Sequence, residues 1–181
     1  MPAPAATNAA APPAPKQPEA TKVWPSFSSP RPVAERPFRA NVAAVQYLLR
    51  GHGHFGTEIN GVYGPRTTAA VKAFQTANKL PVDGVAGPKT LALLATPVKP
   101  GDTGDKVRAV QILARGAIGH NGETPNLGLE VDGVYGESTV KAVRTAQAYE
   151  NDFGSQIEEN GEMSAESWCI LLGGRTNTSQ L

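Results

Sequence analysis

The chain repeats itself, and that limits what it can fold into. Val42, Val45, Gln46 and Leu48 recur with identical spacing as Val107, Val110, Gln111 and Leu113. Gly61-Val62-Tyr63-Gly64, Thr67, Val71 and Gln75 recur at a larger offset as Gly133-Val134-Tyr135-Gly136, Thr139, Val143 and Gln147. Gly84, Thr90 and Leu94 match Gly161, Ser167 and Leu171, at an offset larger still. Ordered blocks at growing offsets describe one ancestral unit with loops inserted in its second copy.

Each copy reads as three short helices. Val42, Val45, Leu48 and Leu49 form one apolar face of a helix over about 41–50, with Asn41 as its expected N-cap. Asp105 is the expected cap of the matching helix, whose face is Val107, Val110 and Leu113. Asn60-Gly61 and Asp132-Gly133 predict turns, because Gly accepts positive φ and Asx bonds its own backbone. Gly64-Pro65 then opens a second helix with proline at its first position, where a missing N–H costs nothing. Asp83-Gly84 and Asn160-Gly161 lead to a short third helix, starting after Gly87-Pro88 in one copy and after Ser164 in the other. Strand-like alternation is weak. The expectation is an all-α protein of two tandem three-helix bundles, with at most a small extended pairing in the loops. Units of roughly 60–75 residues sit near the lower limit for an independent core, so each bundle must form cooperatively.

Ten of the sixteen prolines lie between Pro2 and Pro37, among many alanines. Such a segment has too few large apolar groups to offset ordering entropy, and 1–37 reads as a disordered Pro/Ala-rich tether. Val23, Trp24 and Phe27 are its exceptions and are expected to dock on the helical units. No apolar stretch behind a basic start marks a signal peptide. Either the protein stays inside the cell or an export signal has been removed, and Ala/Pro-rich tethers favour the second. The formal net charge of +1 gives no broad footprint for nucleic acid or an anionic membrane. No run approaches the ~18 apolar residues of a membrane span. A single cysteine excludes an intramolecular disulfide and a Cys-rich zinc site.

The run Val-x-x-Val-Gln-x-Leu, Asx-Gly-Val-Tyr-Gly-x-x-Thr-x-x-Ala-Val, Phe-Gln and Asp-Gly-x-x-Gly-Pro-x-Thr resembles the peptidoglycan-binding domain found beside bacterial cell-wall hydrolases. The first copy carries it at 42–46, 60–71, 74–75 and 83–90; the second carries it at 100–107, 110–111 and 132–143. The stretch 47–54 is similar to actinobacterial members. The implied boundaries are 38–96 and 97–174, with a tail at 175–181. The second copy departs from the pattern: Ala146-Gln147 replaces Phe-Gln, 160–164 replaces Asp-Gly-x-x-Gly-Pro, and the loops 116–130 and 149–159 are longer. The resemblance implies a non-catalytic module that holds peptidoglycan, glycan strand and stem peptide, as a secreted or wall-associated monomer. A separate wall hydrolase is a further implied partner.

Candidate ligand-binding residues are Tyr63, Arg66, Gln75, Tyr135, Arg144 and Gln147. Tyrosine offers a flat face and a hydroxyl to sugar or peptide; the competing reading is a packed ring closing the bundle. The amides of Gln75 and Gln147 can read peptide carbonyls, or tie down a loop backbone. Arg66 and Arg144 suit stem-peptide carboxylates, or lie on solvated helix faces. No cofactor or metal is expected: His52, His54 and distant His120 lack the fourth ligand of structural zinc. Cys169 reads as a small buried hydrophobe. Two alternatives to wall binding remain. One is a peptidoglycan hydrolase using Glu123, Glu130, Glu150, Asp152, Glu158 or Glu159 in the second copy's loops. The other is an anchoring module that kept the fold and recognises protein.

Overall fold

A computed structural model describes residues 21–28, 39–116 and 128–177. The elements are strand β1 (Thr21–Val23) and helices α1 (Ala40–Gly51), α2 (Pro65–Ala77), α3 (Pro88–Leu94), α4 (Asp105–Gly116), α5 (Glu137–Asp152) and α6 (Ala165–Leu171), then strand β2 (Arg175–Asn177). The body is all-α: two three-helix units, α1–α3 and α4–α6, with one small two-stranded pairing. No described helix is long and apolar enough to cross a membrane.

The apolar faces read from the repeat are the core. Val42, Val45, Leu48 and Leu49 of α1 are buried, as are Val107, Val110 and Leu113 of α4. Val71 and Phe74 of α2, Leu91 and Leu94 of α3, and Val143 and Trp168 of the second unit complete it. Pro65 and Pro88 each stand first in their helices. Ser164 caps α6 by accepting the Ser167 N–H.

Helix α1 starts otherwise than expected. Its N-cap is Arg39, with no side-chain cap, and Asn41 lies inside the first turn with its Oδ1 on the Val42 N–H. Asp105 likewise stands in the first turn of α4 and does not cap it. The reason lies in the backbone. The Arg39 N–H donates to Gly61 O at 3.0 Å, and Gly104, its counterpart in the second copy, donates to Gly133 O at 2.8 Å. The following Asx-Gly turn therefore fixes where each first helix begins.

The two units meet through α1 and α4, which pack along each other. A Cβ on Gly51 would stand 3.5 Å from Asp105 Cβ, and one on Gly116 would stand 3.0 Å from Ala40 Cβ. Each helix therefore ends over the start of the other, an antiparallel pair of equivalent helices. Ala44 and Ala109, equivalent in the repeat, are fully buried. Arg50 closes one end with two hydrogen bonds to Asp105, Nε at 2.9 Å and Nη2 at 2.8 Å. At the other end the equivalent residues are Arg115 and Ala40, so the pairing cannot recur. The Arg50 bond lowers the Asp105 carboxyl pKa, and the same contact raises that of Arg50.

The connection between units is held in place as well. Val98 and Met163 exchange backbone bonds, Trp168 Nε1–H donates to Thr96 O at 2.9 Å, and Lys106 Nζ donates to Thr96 Oγ1 at 2.9 Å. The segment 21–28 does something similar from outside. Phe27 exchanges backbone bonds with Ala86 of the first unit, while β1 pairs antiparallel with β2 after the second, Thr21 opposite Asn177 and Val23 opposite Arg175. Lys22 also pairs with Glu166. Trp24 and Phe27 pack on the core as expected, whereas Val23 stays half exposed on its strand. The expected tether at 1–37 is thus ordered at 21–28, and the expected tail at 175–181 begins as a strand. The rest of that tether, most of the loop 116–130 and residues 178–181 lie outside the described residues.

Ala109→Leu would enlarge a side chain at a site with no exposed surface. Overpacking of this kind costs ~1–3 kcal/mol, and for a body of this size should lower Tm by roughly 3–10 °C in a thermal melt. An unchanged Tm would contradict the tight packing described for α4.

Candidate functional site

Four glutamines organise the loops. Gln46, Gln75, Gln111 and Gln147 are 0–1% exposed. Each lies on a helix and reaches the Asx-Gly turn that comes after it. Each Oε1 accepts the N–H of the turn glycine: Gly61 at 3.0 Å, and Gly84, Gly133 and Gly161 at 2.9 Å. Each Nε2 donates to the carbonyl two residues past the Asx, in Val62, Val85, Val134 and Glu162. It also reaches a hydroxyl on the next helix, in Thr67, Thr90, Thr139 and Ser167. In the first three turns it contacts the Asx Oδ1 too. The Asx closes its own loop in all four by accepting the N–H two residues on.

The true repeat is therefore a half-unit of helix, Asx-Gly turn and next helix, occurring four times. The turn glycines all take positive φ, from 63° to 82°. At Gly84 an added Cβ would meet Thr68 Cγ2 at 2.8 Å, and at Gly161 it would meet Val140 Cγ1 at 2.7 Å, so glycine is required twice over.

This frame decides where the expected site residues fall. Gln75 and Gln147 are enclosed, with both polar atoms committed to the turn, and offer a ligand nothing without unmaking it. Tyr63 and Tyr135 are 5% and 2% exposed. Tyr63 Oη donates to Gly84 O at 2.9 Å and accepts from the Ala86 N–H at 3.1 Å; Tyr135 Oη donates to Gly161 O at 2.7 Å. Each ring braces the first turn of its unit against the second, and burial pushes each phenol pKa well up. Arg66 and Arg144 are exposed. Arg144 makes one long bond, 3.4 Å, to Asn160 O. Arg66 has no ion-pair partner among the described residues. The two arginines lie in different units and form no common site.

Arg66 borders an open groove of about 270 Å3 on the first unit, lined also by Phe55, Thr57, Asn60, Val62 and Pro65. Thr57, Asn60 and Arg66 are the exposed polar groups at its rim. The sequence signal for this groove is the loop 52–60, which by composition reads only as a Gly-rich connection. Its histidines turn inward: His52 and His54 set their rings edge-on to Phe74 at 5.3 and 5.6 Å, and burial lowers the His52 pKa. No metal-ligand cluster occurs among the described residues, and His120 lies outside them.

Charge separates the units. Residues 39–96 carry six Lys/Arg against two Asp/Glu, whereas 97–174 carry six against twelve. The position one before the turn-bound hydroxyl shows the same drift: Arg66 and Lys89 in the first unit, Ser138 and Glu166 in the second. Among the acids weighed for catalysis, Glu130, Asp152, Glu158 and Glu159 are exposed and Glu150 is half-buried, its carboxyl pKa pushed up by burial. Glu123 lies outside the described residues. Cys169 is buried, with its thiol pKa raised by burial.

Residues 39–94 match the family model described as "Putative peptidoglycan binding domain". This region is the first unit. The chain is also similar to an uncharacterized protein of the bpoA1 3′ region in Kitasatospora aureofaciens, 43% identical over 47 residues, 26% of this chain. Those residues span 40% of that relative's length. No solved structure matches.

The frame makes two predictions. Gln111→Glu keeps the acceptor for Gly133 but sets a carboxylate against Asp132 Oδ1 and Val134 O. It should cost more than ~2 kcal/mol in a urea titration followed by helical circular dichroism. The second concerns pH. Backbone N–H bonds, then the glutamine amides, hold the Asp83 and Asp132 pKa values below the usual range. Depressed carboxylates contribute stability that is complete above about pH 4 and lost as pH falls through the folded-state values. Asn60 and Asn160 show that the neutral residue suits the turn. The Asp83→Asn, Asp132→Asn double variant should therefore show a shallower fall of Tm between about pH 5 and about pH 2 than the parent.

Proposed function

We propose that the protein holds bacterial peptidoglycan without cutting it, and that the first unit makes the main contact through the Arg66 groove. The match of 39–94 to a peptidoglycan-binding family carries this reading. The groove supplies its chemistry. Stem peptides present carboxylates, and a guanidinium can take one with two parallel bonds. Arg66 is exposed and unpaired among the described residues, with Thr57 and Asn60 beside it to read amide groups. Lys89 and Lys72, both exposed, extend the positive surface of the same unit.

The second unit shares the frame but not the charge. As a tandem wall-binding module it would act at a different part of the polymer. Two weak sites on one chain retain a protein on a repeating polymer better than either alone, because the second contact forms at high effective concentration. Such a protein belongs at the cell wall, outside the membrane, and needs no hydrolase of its own. Arg144, on the second unit's α5, is a further candidate contact there.

Wall hydrolysis is the less supported reading. A glycosidase needs an acid of raised pKa facing a second carboxylate. Glu150 is the acid that burial raises, and the other described residues lining its groove are Arg39, Ala40, Asn41, Leu113, Gly116, Tyr149 and Leu171. None is a carboxylate. Recognition of a protein has no specific observation in its favour.

Purified insoluble sacculi should carry the protein into the pellet. Arg66→Glu should weaken this by about tenfold, the scale of one charged contact turned repulsive. A parent protein left wholly in the supernatant would end the reading. Release of soluble dye from labelled sacculi would replace holding with cutting.

A further inference from the structure

A second groove, of about 430 Å3, lies where the two units meet. Its walls include Arg39 and Asn41 at the start of α1, Leu113 on α4, Tyr149 and Glu150 on α5, and Leu171 on α6. No turn glutamine lines it. It owes its aromatic and acidic wall to the end of α5, which has 16 residues where α2 has 13. The repeat places Tyr149 opposite Ala77 and Glu150 opposite Asn78, so the first unit has no counterpart.

Three features make this more than a crease. Phe153, at the end of α5, is 69% exposed, more than any other large hydrophobic side chain among the described residues. Its ring centroid lies 4.8 Å from that of Tyr149, tilted by 51°, so Phe153 adds an exposed apolar ring beside the groove-lining Tyr149. A single exposed phenylalanine needs no explanation, but a paired ring beside a polar groove offers a stacking platform. Glu150 is half-buried and has no ion-pair partner among the described residues. Leu113 and Leu171 supply apolar patches close to it.

These features fit a pyranose. Such a ring has an apolar C–H face and a rim of hydroxyls, and its N-acetyl form adds one methyl and one amide. We propose that this junction groove is a sugar subsite, binding an N-acetylated pyranose of a glycan strand with its C–H face on Tyr149–Phe153. Glu150 accepts from the hydroxyls, and Arg39 and Asn41 donate to them. Leu113 and Leu171 receive the acetyl methyl. The choice of a wall glycan rests on the peptidoglycan-binding reading, but the residues are separate from the Arg66 groove. One groove would take the stem peptide and the other the strand that bears it.

The test is a titration of the full chain with tetra-N-acetylchitotetraose, which has no stem peptide, followed by 15N–1H chemical shifts. Shifts should concentrate at 149–153, 39–41 and 171. Phe153→Ala, a change at an exposed site, should weaken binding by about fivefold, and Glu150→Gln by about threefold. Arg66→Glu should bind the sugar like the parent. This pattern would stand even if sacculi failed to sediment the protein, so the two readings fail separately. The subsite is overturned by an absence of shifts, by shifts confined to other regions, or by unchanged affinity in Phe153→Ala.

Discussion

The buried glutamine on each Asx-Gly turn is the contact on which the remaining architecture depends. A turn inside a small helical body must bury peptide groups, and unpaired ones cost as much as lost hydrogen bonds. One amide side chain answers several of them together. Its oxygen takes the glycine N–H, and its nitrogen serves the next carbonyl and a hydroxyl on the following helix. Helix, turn and next helix become one hydrogen-bonded object, four times over. The tyrosines then join the objects in pairs, since Tyr63 and Tyr135 reach from the first turn of a unit to the carbonyl of the second.

Two such pairs still make only small cores, and the structure links them in three ways. Helices α1 and α4 share their buried faces. The connecting segment is fastened to the second unit by Val98, Thr96 and Trp168. The segment 21–28 bonds to the first unit at Phe27 and to β2 after the second. The pseudo-symmetry of the α1–α4 pair is broken where it is most polar. Asp105 meets Arg50 at one end, while Ala40 stands in its place at the other. Among the described residues the inter-helix ion pair therefore forms at one end of the pair and not at the other.

Much of the fold is legible in the sequence because its determinants are local. Asx-Gly, proline at the first helical position and apolar spacing of three and four residues all act over a few residues. The quarter repeat is harder to see. Its turn and hydroxyl keep a fixed separation, as from Asn60 to Thr67 and from Asn160 to Ser167. Counted from the turn glycine, the distance back to the glutamine instead runs 15, 9, 22 and 14 residues. A variable gap hides a constant contact from any search at fixed offset. For the same reason Gln75 and Gln147 are open to two readings, since nothing in the sequence shows which loop an amide reaches. Asn41 resembles a cap because the bond that sets the start of α1 comes from Gly61, beyond the far end of that helix. The β1–β2 pairing joins the first described segment to the last, and each strand is too short to show alternation. The junction groove needs four helices at once and has no linear signature.

What varies around the constant frame is where function has room to differ. The turn glycine, the glutamine and the hydroxyl are kept in all four half-units because each is enclosed and bonded. The residue just before the hydroxyl is free of those bonds, and there the sequence runs Arg66, Lys89, Ser138, Glu166. The frame keeps its bonds while the charge at equivalent sites reverses, and in the second unit that charge serves the fold, since Glu166 pairs with Lys22 of the segment 21–28. A polymer with carboxylates on its peptides would meet attraction on the first unit and little on the second. The second unit differs also in its longer α5, which carries Tyr149 and Glu150 and ends at Phe153 as its C-cap. Phe153 is 69% exposed at that end and adds little to the core, so its side chain can change without disturbing the bundle.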